Sequence, residues 1–135
     1  MDAHRTSVAE TCLAGAESNT MIFPTIVGTL MQAGFEGYAI DFRRSTATYY
    51  LPDGGSFDLR AHRVDTRIAA GFDPARIQAA IREAQQMVPG YTYIGFCEKI
   101  AAAGCAGYIV SFSGRRALYL GRTAETHVEL FPPGP

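Results

Sequence analysis

The chain has very little lysine and no excess of basic charge. Lys99 is the single lysine among twelve basic residues, and thirteen acidic residues bring the 135-residue chain to a net charge of −1. Nucleic-acid affinity comes largely from neutralising phosphates, so this balance argues against a nucleic-acid partner. The lack of a lysine-rich run argues against a polybasic membrane anchor as well. No stretch approaches the ~20 apolar residues of a membrane-spanning helix. The opening Met1-Asp2-Ala3-His4-Arg5 has no signal-peptide apolar core.

Cysteine is also scarce. Cys12, Cys97 and Cys105 are odd in number and form no Cys-x-x-Cys motif. That predicts reduced thiols in a cytoplasmic protein, not a disulfide framework or a zinc site. The chain carries no phosphate-binding loop, G-x-S-x-G, H-E-x-x-H or dinucleotide fingerprint. No cofactor and no metal are expected, and the case for an enzyme weakens.

What the chain does have is an internal duplication within a globular composition, 47% hydrophobic and 19% charged. Shifted by seventy, AGFEGYAIDFRRSTATY (33–49) lies over AGCAGYIVSFSGRRALY (103–119). Ala33/Ala103, Gly34/Gly104, Gly37/Gly107, Tyr38/Tyr108, Phe42/Phe112, Ala47/Ala117 and Tyr49/Tyr119 are identical. Unrelated segments of this length share about one identity. Two repeats are expected in one domain spanning 1–135, at about 2–65 and 72–135.

Each repeat reads as helix, helix, strand, strand, strand. Asp73 is a good N-cap and Pro74 a good first helical residue. Ile77, Ile81, Ala84 and Val88 form an apolar stripe that Pro89-Gly90 ends. Val8, Cys12 and Leu13 are the weaker counterpart. A second helix follows Pro24 and another follows Thr92, with Gly34 and Gly104 as left-handed C-caps.

Tyr38, Ile40 and Phe42, like Tyr108, Val110 and Phe112, then alternate as strands. Hairpins lead to Ala47–Leu51 and Ala117–Gly121, and third strands follow at Ser56–Leu59 and His127–Leu130. The best third-strand match, Phe57/Val128 and Leu59/Leu130, shifts the offset to 71. Residues 60–72 link the repeats, with a short helix expected around Thr66–Ala70. The fold class is α+β, an antiparallel sheet packed by helices on one face, with the repeats related by a pseudo-twofold.

With Phe42 paired to Ala47, the tyrosines share an apolar face beneath the helices. The opposite face receives Asp41, Thr48, Tyr50 and Asp58, then Ser111, Leu118, Leu120, His127 and Glu129. His127 and Glu129, two apart on a strand, leave the same face. An imidazole beside a carboxylate could move a proton, with Asp41 as a second carboxylate. The plainer reading is a surface histidine next to an acid, and with no third ligand a metal site is not expected. Arg43-Arg44 and Arg115-Arg116 fall in the hairpin loops. There they could hold an anion with Tyr50 and Ser111 nearby, although solvated loop charges are commoner. Buried, inert thiols are the expected state of the cysteines.

The stretches FPTIVGTLMQAGFEGYAIDFRRSTATYYLPDG and YTYIGFCEKIAAAGCAGYIVSFSGRRALYLGRTAETHVELFP resemble a family of small uncharacterised bacterial and prophage proteins. That family is often labelled phage-envelope-protein-like, or a domain of unknown function. The resemblance is densest over Gly104–Pro132, in GRRALYLGR and THVELFP, and it implies no activity, cofactor or catalytic residue. The leading expectation is a cytosolic, non-catalytic module that binds a small molecule or a protein partner on the open sheet face. A small enzyme using His127 with Glu129 or Asp41 on an anionic substrate is the alternative. A phage-related structural protein acting as a homo-oligomer is the third.

Overall fold

The structure, a computed structural model, describes residues 2–132. Met1 and the end of the second repeat, residues 133–135, lie outside the described residues. Four helices and six strands follow one another as α1 Ala3–Glu17, α2 Phe23–Gln32, β1 Gly37–Asp41, β2 Thr46–Tyr50, β3 Ser56–Arg60, α3 Pro74–Gln86, α4 Tyr93–Ala102, β4 Cys105–Ser111, β5 Arg116–Gly121 and β6 Thr126–Leu130. The pattern helix-helix-strand-strand-strand therefore occurs twice, in an α+β fold.

Local chemistry sets the helix ends. The Asp73 carboxylate accepts from the Arg76 N–H, and Pro74 opens α3 with its ring already at a helical φ. Thr92 caps α4 by accepting from the Gly95 N–H. Gly34 and Gly104 end their helices at φ +95° and +96°, where a side chain would be strained. α3 stops earlier than its apolar stripe predicts. Met87 turns left-handed at φ 49°, so Val88 lies beyond the helix and Pro89-Gly90 plays no part in ending it.

The strands form one antiparallel sheet in the order β3-β2-β1-β4-β5-β6. The repeats meet at the centre, where β1 pairs with β4, and Ala39 lies opposite Ile109, its counterpart seventy residues on. Tyr38, Ile40, Ala47, Tyr49, Tyr108, Val110, Ala117 and Tyr119 point into a single core. Ile26, Val27, Leu30, Ile77, Ile81, Phe96 and Ile100 of the helices cover them. Burying each such aliphatic side chain stabilises the fold by about 1.5–3 kcal/mol. Both repeats contribute to this core, as halves too small to bury one alone would require.

Two register expectations need correction. Ile40, not Phe42, lies opposite Ala47, and Asp41–Thr46 closes the hairpin. Because side chains alternate with period two, this slip of two residues leaves the face assignments of β1 and β2 intact. The third strands differ more. Tyr49 pairs with Phe57 and Tyr119 with His127, so the offset stays at seventy. The preceding turns are alike, with Leu51 N–H donating to Gly55 O and Gly121 N–H to Glu125 O, and no inserted residue separates them. His127 and Glu129 consequently take the places of Phe57 and Leu59, on the helix side of the sheet. Val128 and Leu130 take the open side.

The linker holds no helix between Thr66 and Ala70. Its backbone donors are bound elsewhere. The Glu98 carboxylate accepts from the Asp65 and Thr66 N–H groups and from the Thr66 hydroxyl, and Ala69 N–H donates to Ala101 O. The segment thus lies along α4 without regular structure.

Candidate functional site

Three rows of side chains cross the open face. The middle row reads Asp58, Thr48, Ala39, Ile109, Leu118, Val128 from β3 to β6. One flanking row is Ser56, Tyr50, Gly37, Ser111, Arg116, Leu130, and the other is Arg60, Thr46, Asp41, Gly107, Leu120, Thr126. The first repeat's half of this face is polar, and the Thr48 hydroxyl donates to Asp58 Oδ1 at 2.7 Å. The second repeat's half is apolar. Ile109, Val128 and Leu130 are 41%, 43% and 59% exposed, with Leu118 and Leu120 partly exposed beside them.

Asp41 and Ser111 do lie on this face, and their polar atoms serve the hairpins. Asp41 Oδ1 accepts from the N–H groups of Arg43 at 2.9 Å and Arg44 at 3.2 Å. Ser111 Oγ accepts from Gly114 N–H at 3.0 Å. Both are local turns of the kind that short polar side chains favour. Tyr50 is exposed at the edge of the polar half.

The two arginine pairs do not converge. β1 and β4 run antiparallel, so the loop after β1 and the loop after β4 leave opposite ends of the sheet. Arg115 bonds Pro132 O at 3.3 Å and lies 6.0 Å from the Phe131 ring centre, and Arg116 Nε donates to Gly114 O. One anion cannot touch both tips.

His127 and Glu129 form a second polar cluster, on the other face and under α3. His127 Nε2 donates to Gln78 Oε1 at 2.7 Å and lies 3.8 Å from Glu129 Oε1. Glu129 Oε2 accepts from Gln85 Nε2 at 3.3 Å. Both side chains are about four-fifths buried, at 20% and 23% exposure. Asp41 points to the opposite face and lies three strands away, so it does not join them. Gln78 and Gln85 were not among the sequence candidates. Their signal was a spacing of seven on one side of a helix, above a strand that carries polar residues at alternate positions.

The core holds further ionisable groups. Burial pushes the Cys97 thiol up to about 12 and the Cys105 thiol up to about 11. Cys12 is raised by burial too. All three are free and buried, which suits inert thiols. Tyr93 and Tyr108 share a hydroxyl–hydroxyl bond of 2.7 Å inside the core. A cleft of about 150 Å³ between α3 and α4 is lined by Ala80, Glu83, Tyr91, Phe96 and Lys99 among others, and none of the sequence candidates reaches it. Among the described residues no cluster of three or more metal-ligating side chains occurs, and no helix is long and apolar enough to cross a membrane.

A family model matches residues 12–129, nearly the whole of both repeats. This chain belongs to the DUF1398 family, proteins of unknown function. The match reaches from within α1 to Glu129, so the six strands are family structure almost in full. No curated protein matches the chain.

Proposed function

We propose that this DUF1398 protein is a non-catalytic interaction module and that the open face of β4, β5 and β6 is its binding surface. One observation carries the reading: Ile109, Leu118 and Val128 stand side by side on adjacent strands, with Leu120 and Leu130 flanking them. Contiguous exposed apolar surface on a folded protein marks interaction sites, and each Å² removed from water contributes about 25 cal/mol. Strands spaced about 4.8 Å apart make this half-sheet about 10 Å wide between its outer strands, close to the 10–12 Å width of a helix. The partner best suited to it is the apolar side of an amphipathic helix from another protein, with an acidic residue near Arg116. The free thiols suit a reducing compartment such as the cytoplasm.

An enzymatic role on an anionic substrate draws less support. His127 and Glu129 stand 3.8 Å apart under α3, but Asp41 lies on the opposite face and the two arginine pairs lie at opposite ends of the sheet, so they do not gather around one anionic substrate. Nothing in the residues ties the chain to phage assembly in particular.

The test is site-specific photo-crosslinking in source cells, at Leu118 and at its repeat counterpart Thr48. A discrete protein adduct from position 118 and none from position 48 is expected. Equal labelling at both, or none at either, overturns the reading.

A further inference from the structure

β6 is an edge strand, and among the described residues nothing pairs with its outer side. The ladder with β5 shows which backbone groups are free there. Gly121 N–H donates to Glu125 O and Phe131 N–H to Arg115 O. Hydrogen-bonded pairs alternate in an antiparallel ladder, so His127 and Glu129 turn their N–H and C=O groups toward β5. Thr126, Val128 and Leu130 turn theirs outward.

Exposed edges invite another strand unless charge, proline or a bulge blunts them. On β3, the opposite edge, the equivalent outward residues are Ser56, Asp58 and Arg60. Two of these are charged, and Asp58 is tied to Thr48. The outward row of β6 carries no charge, and Val128 and Leu130 are among the exposed large apolar residues.

We propose that two copies of this chain associate through β6, antiparallel about Val128, to make one continuous sheet with six strands from each copy. Side-chain chemistry selects this register. Outward groups must meet outward groups, so the pairing can centre on residue 127, 128 or 129. Centring on 127 sets His127 against its own copy, and centring on 129 sets Glu129 against its own copy. Only the register about Val128 sets each His127 opposite the other copy's Glu129. It does so in the non-hydrogen-bonded pairs, where side chains come closest. Thr126, Val128 and Leu130 of the two copies then exchange about six backbone hydrogen bonds.

Strand pairing alone buries little area, and α3 adds to it. Gln78 and Gln85 hold α3 above β6, with Arg82 between them on the same side of the helix. This row would meet its copy, with the Glu129 carboxylates to answer Arg82. The pairing uses the strand's edge and is independent of the binding role proposed for the face. It would also place the two apolar half-faces side by side.

Sedimentation equilibrium and light scattering on the full chain provide the test. A concentration-dependent rise from 14.6 kDa to twice that mass, and no further, is expected. Val128→Pro removes an outward N–H that the β5 ladder does not use, a change edge strands tolerate. It should abolish the dimer while leaving the far-UV circular dichroism unchanged. Glu129→Lys should weaken the dimer about tenfold, since each His127 then faces an ammonium in place of a carboxylate. Exchanging the two residues, His127→Glu with Glu129→His, should restore it, because an imidazole again meets a carboxylate in both pairs. A chain monomeric up to about 1 mM, a dimer that survives Val128→Pro, growth beyond two chains, or failure of the exchange to restore association overturns the proposal.

Discussion

Phe57 and His127 occupy the same place in the two repeats, each opposite a core tyrosine, Tyr49 and Tyr119, across an edge ladder. One edge of the sheet is sealed by a ring and a leucine, Leu59. The other is sealed by an imidazole and a carboxylate held by glutamines of α3. A largely buried polar pair contributes less to stability than apolar packing of similar volume. His127→Phe with Glu129→Leu, which copies the first repeat into the second, should raise stability by about 1 kcal/mol. Urea unfolding at low protein concentration would show a higher midpoint with an unchanged slope.

Gly37 and Gly107 lie at opposite ends of the central seam, opposite Ser111 and Asp41, in reciprocal settings. A Cβ on Gly37 would strike the Val110 carbonyl oxygen, and one on Gly107 would strike the Ile40 carbonyl oxygen. These obstacles are backbone and cannot turn aside. Gly37→Ala and Gly107→Ala should each cost about 2 kcal/mol or more. Because the contacts are counterparts, the two losses should agree closely when measured by thermal or urea unfolding.

Alkaline pH should unfold the protein cooperatively. Burial pushes Tyr91 and Cys97 up to about 12 and Cys105 up to about 11, and raises Tyr38, Tyr93 and Tyr108 well above their ordinary value of 10.0. The native state therefore keeps protons that the unfolded chain releases. Stability is fully present below pH 9.0, the ordinary thiol value, and falls as pH climbs from there toward the native values. The slope reaches about 1.4 kcal/mol per pH unit for each such group. The tyrosinate absorbance of the buried tyrosines, Tyr38, Tyr93 and Tyr108, should rise together with loss of circular dichroism.

Glu98 anchors the linker by accepting from two backbone N–H groups and one hydroxyl. Glu98→Ala should cost about 1 kcal/mol. The clearer readout is hydrogen exchange, which should quicken at Asp65 and Thr66 while the Ile77 and Ile100 amides stay protected.

The elements whose causes are local could be read from the chain. Asp73 and Pro74 announce the start of α3. Gly34 and Gly104 announce two helix ends, and the alternation around Tyr38 and Tyr108 announces the buried face. Features decided by distant partners could not be read this way. Thr66–Ala70 has composition enough for a turn of helix, but the N–H groups of Thr66 and Ala69 belong to Glu98 and Ala101. The third strands misled for a different reason. Val128 and Leu130 are apolar, and matching them to Phe57 and Leu59 assumes that apolar means inward. At an edge the inward side is only half covered, so it accepts His127 and Glu129 once Gln78 and Gln85 are overhead. The apolar open face was legible only in part, through Leu118 and Leu120. Its strongest members were hidden behind that shifted offset.

The seam between β1 and β4 has a consequence for the chain's continuity. Ala39 and Ile109 and their neighbours hold the repeats together by a ladder of five residue pairs, while a single pass of backbone carries the covalent tie. Arg63 and Arg67 lie exposed on that pass. A protease nick beside either would yield two fragments that remain one particle, and the halves, made as separate polypeptides, would reassemble on mixing.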